Sequence, residues 1–107
     1  MKKRISLCLL IIIQFGIAQV KVPQSSPHMI MKQPVGLTEV EIDYSRPSMK
    51  GRTIMGDLVP YNEIWRTGAN NNTILKFSDP VKVGGENIKA GSYALYAKPG
   101  LKNWTLY

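Results

Sequence analysis

The chain has 107 residues, 14 Lys and Arg against 7 Asp and Glu, one cysteine and one histidine. This length holds one domain at most, and a single cysteine excludes a disulfide framework and a thiolate metal site. The basic residues are spread along the chain without the cluster or aromatic ladder that tracks a nucleic-acid backbone, so no nucleic-acid partner is expected.

The N-terminus has the pattern of a signal peptide. Residues 2–4 are positively charged, residues 5–17 are mostly apolar, and Gly16 and Ala18 are small residues at the two positions that a signal peptidase reads. We predict a signal peptide over 1–18, cleavage after Ala18, no stable membrane anchor after processing, and an exported protein, periplasmic or extracellular. A transmembrane anchor is the alternative, but it needs about 20 apolar residues and this run is shorter.

Processing would also remove much of the positive charge. Without residues 2–4 the chain keeps 11 basic and 7 acidic residues, so the net charge falls from +7 to +4. Cys8 would leave with the signal peptide, and the residues before it are not the small ones that lipidation favours. Polar, proline-containing residues 19–27 are predicted to form an extended linker, and a β domain is predicted over 28–107.

Two strands are predicted next. Residues 28–35 fit an edge strand that ends at Pro34 to Gly36. Residues 37–44 alternate, with apolar side chains on one face and carboxylates on the other. The three carboxylates favour a solvated sheet face over a cation site, because Ca²⁺ takes six or more oxygen ligands. The apolar face holds Val40, Ile42 and Tyr44, and the acidic face holds Glu39, Glu41 and Asp43.

His28 is the single histidine and has no carboxylate near it in sequence. A surface or strand residue is the favoured interpretation, and a general base remains an open alternative.

A long segment without regular periodicity, residues 44–70, is predicted to be a loop between strands and the place where binding groups collect. Arg46-Pro47 ends the preceding strand because proline has no amide hydrogen for the ladder. Apolar pairs at 54–55 and 58–59 are expected to pin the loop to the core. Residues 61–65 are predicted to form one helical turn, and Gly68 or Asn70 is suited to a positive φ.

The loop carries arginines, which match carboxylates and phosphates, and aromatic rings, which stack on sugars and cations. The alternative is structural: Trp65 would then belong to the core, and Arg46 or Arg66 would pair with acidic residues at 43, 57 or 63. The candidate ligand-binding residues are Arg46, Arg52, Tyr61, Trp65, Arg66 and Asn70.

No catalytic motif is present in the chain. The Ser-x-x-Lys and Gly-x-Ser-x-Gly patterns are missing, and Gly84-Gly85 fits a hairpin turn better than a phosphate loop. We therefore predict no catalytic residue, no metal ligand and no cofactor.

The rest of the chain again predicts strands. They cover residues 73–78, a hairpin at 81–88, one strand over 92–98 and a last strand at 104–107, with turns between them. Turn signals every eight to twelve residues are typical of an all-β antiparallel sandwich or small barrel. Because the last strand ends without a polar tail, the domain is predicted to be incomplete at its C-terminus.

Three blocks of the sequence resemble domain-of-unknown-function family 2911. They read YSRPSMKGRTIMGDLVPYNEIWRTGAN, VKVGGENIKAGSYALYAKPG and NWTLY, and the resemblance runs from Ser26 to Tyr107. It implies an all-β domain of a secreted, Bacteroidetes-type protein, of which this chain covers the N-terminal portion. It implies no activity and no catalytic residue.

Three functions are compatible with the sequence. The first is a non-enzymatic module that binds a small anionic or carbohydrate ligand through residues 44–70. The second is a hydrolase whose catalytic groups lie partly beyond residue 107 or include His28. The third is an interaction module that adds a strand to a partner. The oligomeric state is open as well.

Overall fold

A computed structural model describes residues 20–107 of the chain. The predicted signal peptide and Cys8 lie outside the described residues. Eight strands follow one another within residues 20–107. They are β1 His28–Val35, β2 Thr38–Ser45, β3 Thr73–Phe77, β4 Val81–Val83, β5 Glu86–Ile88, β6 Gly91–Leu95, β7 Ala97–Pro99 and β8 Trp104–Leu106.

The largest sheet has four antiparallel strands in the order β1-β2-β3-β6. A two-residue turn at Gly36 and Leu37 joins β1 to β2, so that Val35 pairs with Thr38. Gly36 has φ +62, the left-handed value that glycine adopts most readily at the start of such a turn. This confirms the predicted edge strand at 28–35 and fixes the register of the whole hairpin.

The alternation in β2 sorts its side chains onto two faces of this sheet. On one face, Val40 and Ile42 stand opposite Phe77 and Leu75 of β3. On the other, Glu41 stands opposite Lys32 of β1. One face therefore carries the apolar packing surface, and the other carries charge pairs that remain in contact with water.

A short hairpin of β4 and β5 branches off between β3 and β6. Its turn is Gly84-Gly85, and both glycines have positive φ, 58° and 91°. Two successive positive φ values are what a two-residue type I′ turn requires. The hairpin predicted at 81–88 is confirmed.

The predicted strand at 92–98 is wrong as a single element. Its first part, β6, pairs with β3, whereas its second part, β7, pairs with β8. The change of partner occurs at Tyr96, whose backbone exchanges hydrogen bonds of 3.1 and 2.9 Å with Tyr107. Alternating side chains continue through the change, so periodicity alone gave no sign of it.

Residues 20–107 form an all-β, sandwich-like fold with antiparallel sheets, as predicted, and no closed barrel forms among them. The helical turn predicted at 61–65 is wrong: these residues form turns and a β bridge. Within residues 20–107, no helix is long and apolar enough to cross a membrane. The most buried apolar side chains are Val59, Phe77, Ala97 and Pro99.

Candidate functional site

The segment between β2 and β3 is a long ordered loop, and its two ends meet over a buried polar cluster. Thr73 is 4% exposed, and its Oγ1 donates a hydrogen bond of 2.7 Å to the Thr67 carbonyl. The Thr67 hydroxyl lies 2.9 Å from the Leu95 carbonyl. Ala69 donates its amide to the carbonyl of Ser45 at 3.3 Å. These bonds tie the loop ends to β2, β3 and β6.

Gly68 lies close to β2 and β3 at this point. A Cβ on it would lie 3.0 Å from Thr73 Oγ1 and 3.4 Å from the Ser45 carbonyl oxygen. Positive φ falls instead on its neighbours, 57° at Thr67 and 59° at Asn70. The sequence prediction was thus right for Asn70 and missed Thr67, because a β-branched residue seldom adopts this conformation.

The middle of the loop folds back on itself. The amide of Val59 donates to the Ile54 carbonyl at 2.8 Å, and the amide of Gly56 donates to the Val59 carbonyl at 2.9 Å. Gly56 has φ +87, and an added Cβ would come within 2.6 Å of the Tyr61 ring. Tyr61 therefore lies against this turn, and Val59, which belongs to the same turn, is buried.

The last part of the loop lies alongside β7. Asn62 donates its amide to the Pro99 carbonyl at 2.7 Å. Trp65 and Ala97 exchange backbone hydrogen bonds of 2.7 and 2.9 Å. The indole of Trp65 meets that of Trp104 edge to face, with ring centroids 6.3 Å apart. Trp65 is thus a half-buried residue held on both its backbone and its ring.

A cavity of about 480 Å³ opens between the folded-back turn and the loop ends. Its volume falls within the usual range for small-molecule sites, about 300–1,000 Å³. Among the predicted site residues it brings together Arg52, Trp65 and Arg66. Its full lining is Ser26, Pro47, Ser48, Met49, Arg52, Ile54, Leu58, Val59, Trp65, Arg66, Gly68 and Ala69.

Two arginines give this cavity its charge. Arg52 is fixed by its own loop, since Nε donates to the Met49 carbonyl at 3.0 Å and Nη2 donates to the Ser48 carbonyl at 2.8 Å. Arg66 is exposed. Within residues 20–107 neither forms an ion pair. No Asp or Glu lines the cavity, so its charged groups are all cationic.

The other predicted site residues lie elsewhere. Arg46 is exposed and lines none of the cavities described here, and within residues 20–107 it too forms no ion pair. The predicted structural pairing of Arg46 or Arg66 with an acidic residue is therefore not found. Tyr61 packs on Gly56 outside the cavity. Asn70 lines a separate polar groove, and its Nδ2 lies 3.4 Å from the Ser26 carbonyl.

That second groove, which we call the polar groove, lies over the ends of β1 and β2. Its main chamber has about 490 Å³ and is lined by His28, Asp43, Tyr44, Ser45, Asn70, Asn71, Asn72 and Ile74. An adjoining chamber shares four of these residues and adds Gln24, Ser25 and Ser26. No Lys or Arg lines either chamber.

His28 lies 2.5 Å from Asp43, from its Nε2 to the carboxylate Oδ1. The sequence reading missed this contact because the two residues are 15 positions apart. The hairpin register would have revealed it: a two-residue turn at 36–37 places His28 opposite Ser45 and puts Asp43 diagonally beside it on one face.

The other two carboxylates of β2 contact Lys32 at 3.0 Å from Glu41 and 3.4 Å from Glu39. Hydrogen bonds that Lys32 Nζ donates to Glu41 and then to Glu39 raise the pKa of Lys32 above its ordinary 10.5. No group of three potential ligands among residues 20–107 is placed to hold a metal ion. The three carboxylates of β2 thus all contact basic side chains of β1.

Comparison with known proteins connects these features to a family. The model of a protein family described as "Protein of unknown function (DUF2911)" matches residues 26–107. The chain belongs to the DUF2911 family. The match includes the loop, its cavity and every described strand. Searches of curated proteins and of solved structures found no significant match.

Proposed function

We propose that this DUF2911 chain is an exported, non-enzymatic binding module that holds a small anionic or carbohydrate ligand in the cavity of residues 44–70. One observation carries the proposal: the cavity joins two arginines and an indole on an ordered loop, with no acidic residue in its lining. The chemistry of the lining favours an anionic ligand over a neutral one.

The arginines supply the affinity for an anion. A guanidinium has five N–H donors, and Arg52 uses two of them on backbone carbonyls, so three remain for a ligand. Because Arg52 is already held in place, little side-chain entropy is lost when it binds. Arg66 adds a second guanidinium whose planar donors match a carboxylate or phosphate.

The rest of the lining supplies an apolar surface. Trp65, Met49 and Ile54 lie beside the two arginines. An indole face stacks on sugar C–H groups or on another ring, while the arginines fix the charged end. A carboxylate attached to a ring or a short carbon skeleton, such as a uronic or aromatic acid, matches this combination better than bare phosphate.

A ligand screen followed by matched variants tests the proposal. Thermal shifts would be measured with uronic acids, aromatic acids, citrate and inorganic phosphate. For the best ligand, Arg66→Gln should weaken binding about ten- to a hundredfold, because a hydrogen bond to a charged group is lost. Arg46→Gln removes the same charge outside the cavity and should change the affinity by less than about threefold, through screened long-range attraction alone.

Equal losses in the two variants would mean that general charge attracts the ligand, and the cavity would lose its assignment. Export is tested separately. The mature protein from its native host should begin at Gln19; an N-terminus that still carries residues 1–18 would contradict export through a cleaved signal peptide.

A further inference from the structure

We infer a second binding site in the polar groove, for a neutral polyhydroxyl ligand such as an oligosaccharide. This site goes beyond the proposed anion cavity and uses other residues. Seven of its eight lining residues have polar side chains: His28, Asp43, Tyr44, Ser45, Asn70, Asn71 and Asn72. At about 490 Å³ its main chamber has the volume of a small-ligand site.

The charge of the groove decides the class of ligand. Its lining has one carboxylate, Asp43, and no Lys or Arg, so an anion would meet repulsion without compensation. A metal ion would need several oxygens around it, and residues 20–107 offer no suitable cluster. Amides, a hydroxyl and an imidazole both donate and accept hydrogen bonds, which is the pattern that sugar hydroxyls require.

Much of this hydrogen-bonding capacity is not used within the described chain. The Asp43–His28 contact occupies Oδ1 and Nε2, and leaves Oδ2 and Nδ1 without a partner among residues 20–107. Asn70 and Asn72 use their Nδ2 atoms on the Ser26 carbonyl and the Tyr96 hydroxyl. Their carbonyl oxygens remain as acceptors on fixed side chains, so the groove presents positioned groups.

Asn71 is the residue that the fold explains least. Its φ is not positive, so the backbone does not call for asparagine here as it does at Asn70. Its side chain is exposed and forms no hydrogen bond within residues 20–107. An amide with donor and acceptor both free, beside the Asp43–His28 pair, is positioned to bind a diol.

The single histidine makes the groove directly observable. His28 is the only histidine in the chain, so its Cε1–H resonance reports this site alone in an NMR titration at constant pH. The probes are cellotetraose and maltotetraose at up to tens of millimolar, with citrate as the anionic comparison. One tetrasaccharide should shift the His28 resonance with saturation, and citrate should leave it unchanged.

Two variants locate the bound saccharide. Asn71→Ala should weaken its binding about two- to tenfold, the cost of one neutral hydrogen bond. The matched control Asn87→Ala removes an exposed amide from β5 and should have no effect. Arg66→Gln, in the cavity, should also leave saccharide binding unchanged.

Three results would overturn the second site: no His28 shift with either tetrasaccharide, equal affinity in Asn71→Ala and wild type, or loss of saccharide binding in Arg66→Gln. The last result would place the saccharide in the cavity. None of them bears on anion binding, which is measured with citrate and Arg66→Gln, so the two sites can fail independently.

Discussion

Removing the Thr73 hydroxyl tests whether the buried polar cluster holds the loop. In Thr73→Val the shape of the side chain is kept, but the 2.7 Å hydrogen bond to the Thr67 carbonyl is lost. An acceptor left without a partner costs about 1–3 kcal/mol, and burying the added methyl offsets this by about 0.8 kcal/mol. The difference between these two terms is a fall of about 0.2–2.2 kcal/mol in the free energy of unfolding.

For a domain of this size, such a loss lowers Tm by about 1–18 °C. Urea unfolding followed by tryptophan fluorescence measures the free energy, and calorimetry measures Tm. Thr105→Val is the control: Thr105 is exposed on β8 and its hydroxyl forms no hydrogen bond within residues 20–107, so its variant should stay within about 0.5 kcal/mol of wild type. If both variants were as stable as wild type, the hydrogen bond from Thr73 would not stabilise the loop ends.

Two further predictions concern the loop turn and the charged face. Gly56→Ala should lower the free energy of unfolding by about 1–3 kcal/mol, because a positive φ costs about 1–2 kcal/mol and the new Cβ meets the exposed Tyr61 ring at 2.6 Å, so that this ring must shift. Gly51 has φ +70 and open space where a Cβ would lie, so Gly51→Ala should lose only the cost of the left-handed backbone, about 1–2 kcal/mol. If chemical denaturation gave the same loss of stability for both variants, the Tyr61 contact would make no contribution. Because the folded pKa of Lys32 is raised, its contribution to stability is fully present below pH 10.5 and is lost as the pH rises through the folded pKa. Lys32→Met should abolish that alkaline loss in urea titrations, and an unchanged pH profile would show that the contacts with Glu41 and Glu39 do not stabilise the fold.

Local patterns explain why most of the fold could be predicted. The alternation in β2 and the paired glycines at Gly84 and Gly85 are read within a few residues, and they specify a strand and a turn directly. The failure at residues 92–98 has a non-local cause, because Tyr96 changes sheets to pair with Tyr107. Nothing in the spacing of apolar residues marks a change of partner.

The candidate site was predictable in part for the same reason. The sequence identified the loop that forms the cavity, but it grouped Arg46, Tyr61 and Asn70 with the cavity residues Arg52, Trp65 and Arg66. Proximity in sequence does not determine which side of a folded loop a side chain occupies. The contact between His28 and Asp43 depends on the register of β1 and β2. A predicted two-residue turn beginning at Gly36 would have given that register.

The proposed anion site at Arg52 and Arg66 is tested most directly by the arginine Nε–H resonances of ¹⁵N-labelled protein. On titration with the best acid from the screen, we expect the Arg52 and Arg66 signals to shift and saturate together while the Arg46 signal stays in place. A shift at Arg46 with none at Arg52 and Arg66 would contradict the proposed site, because the anion would then bind outside the cavity.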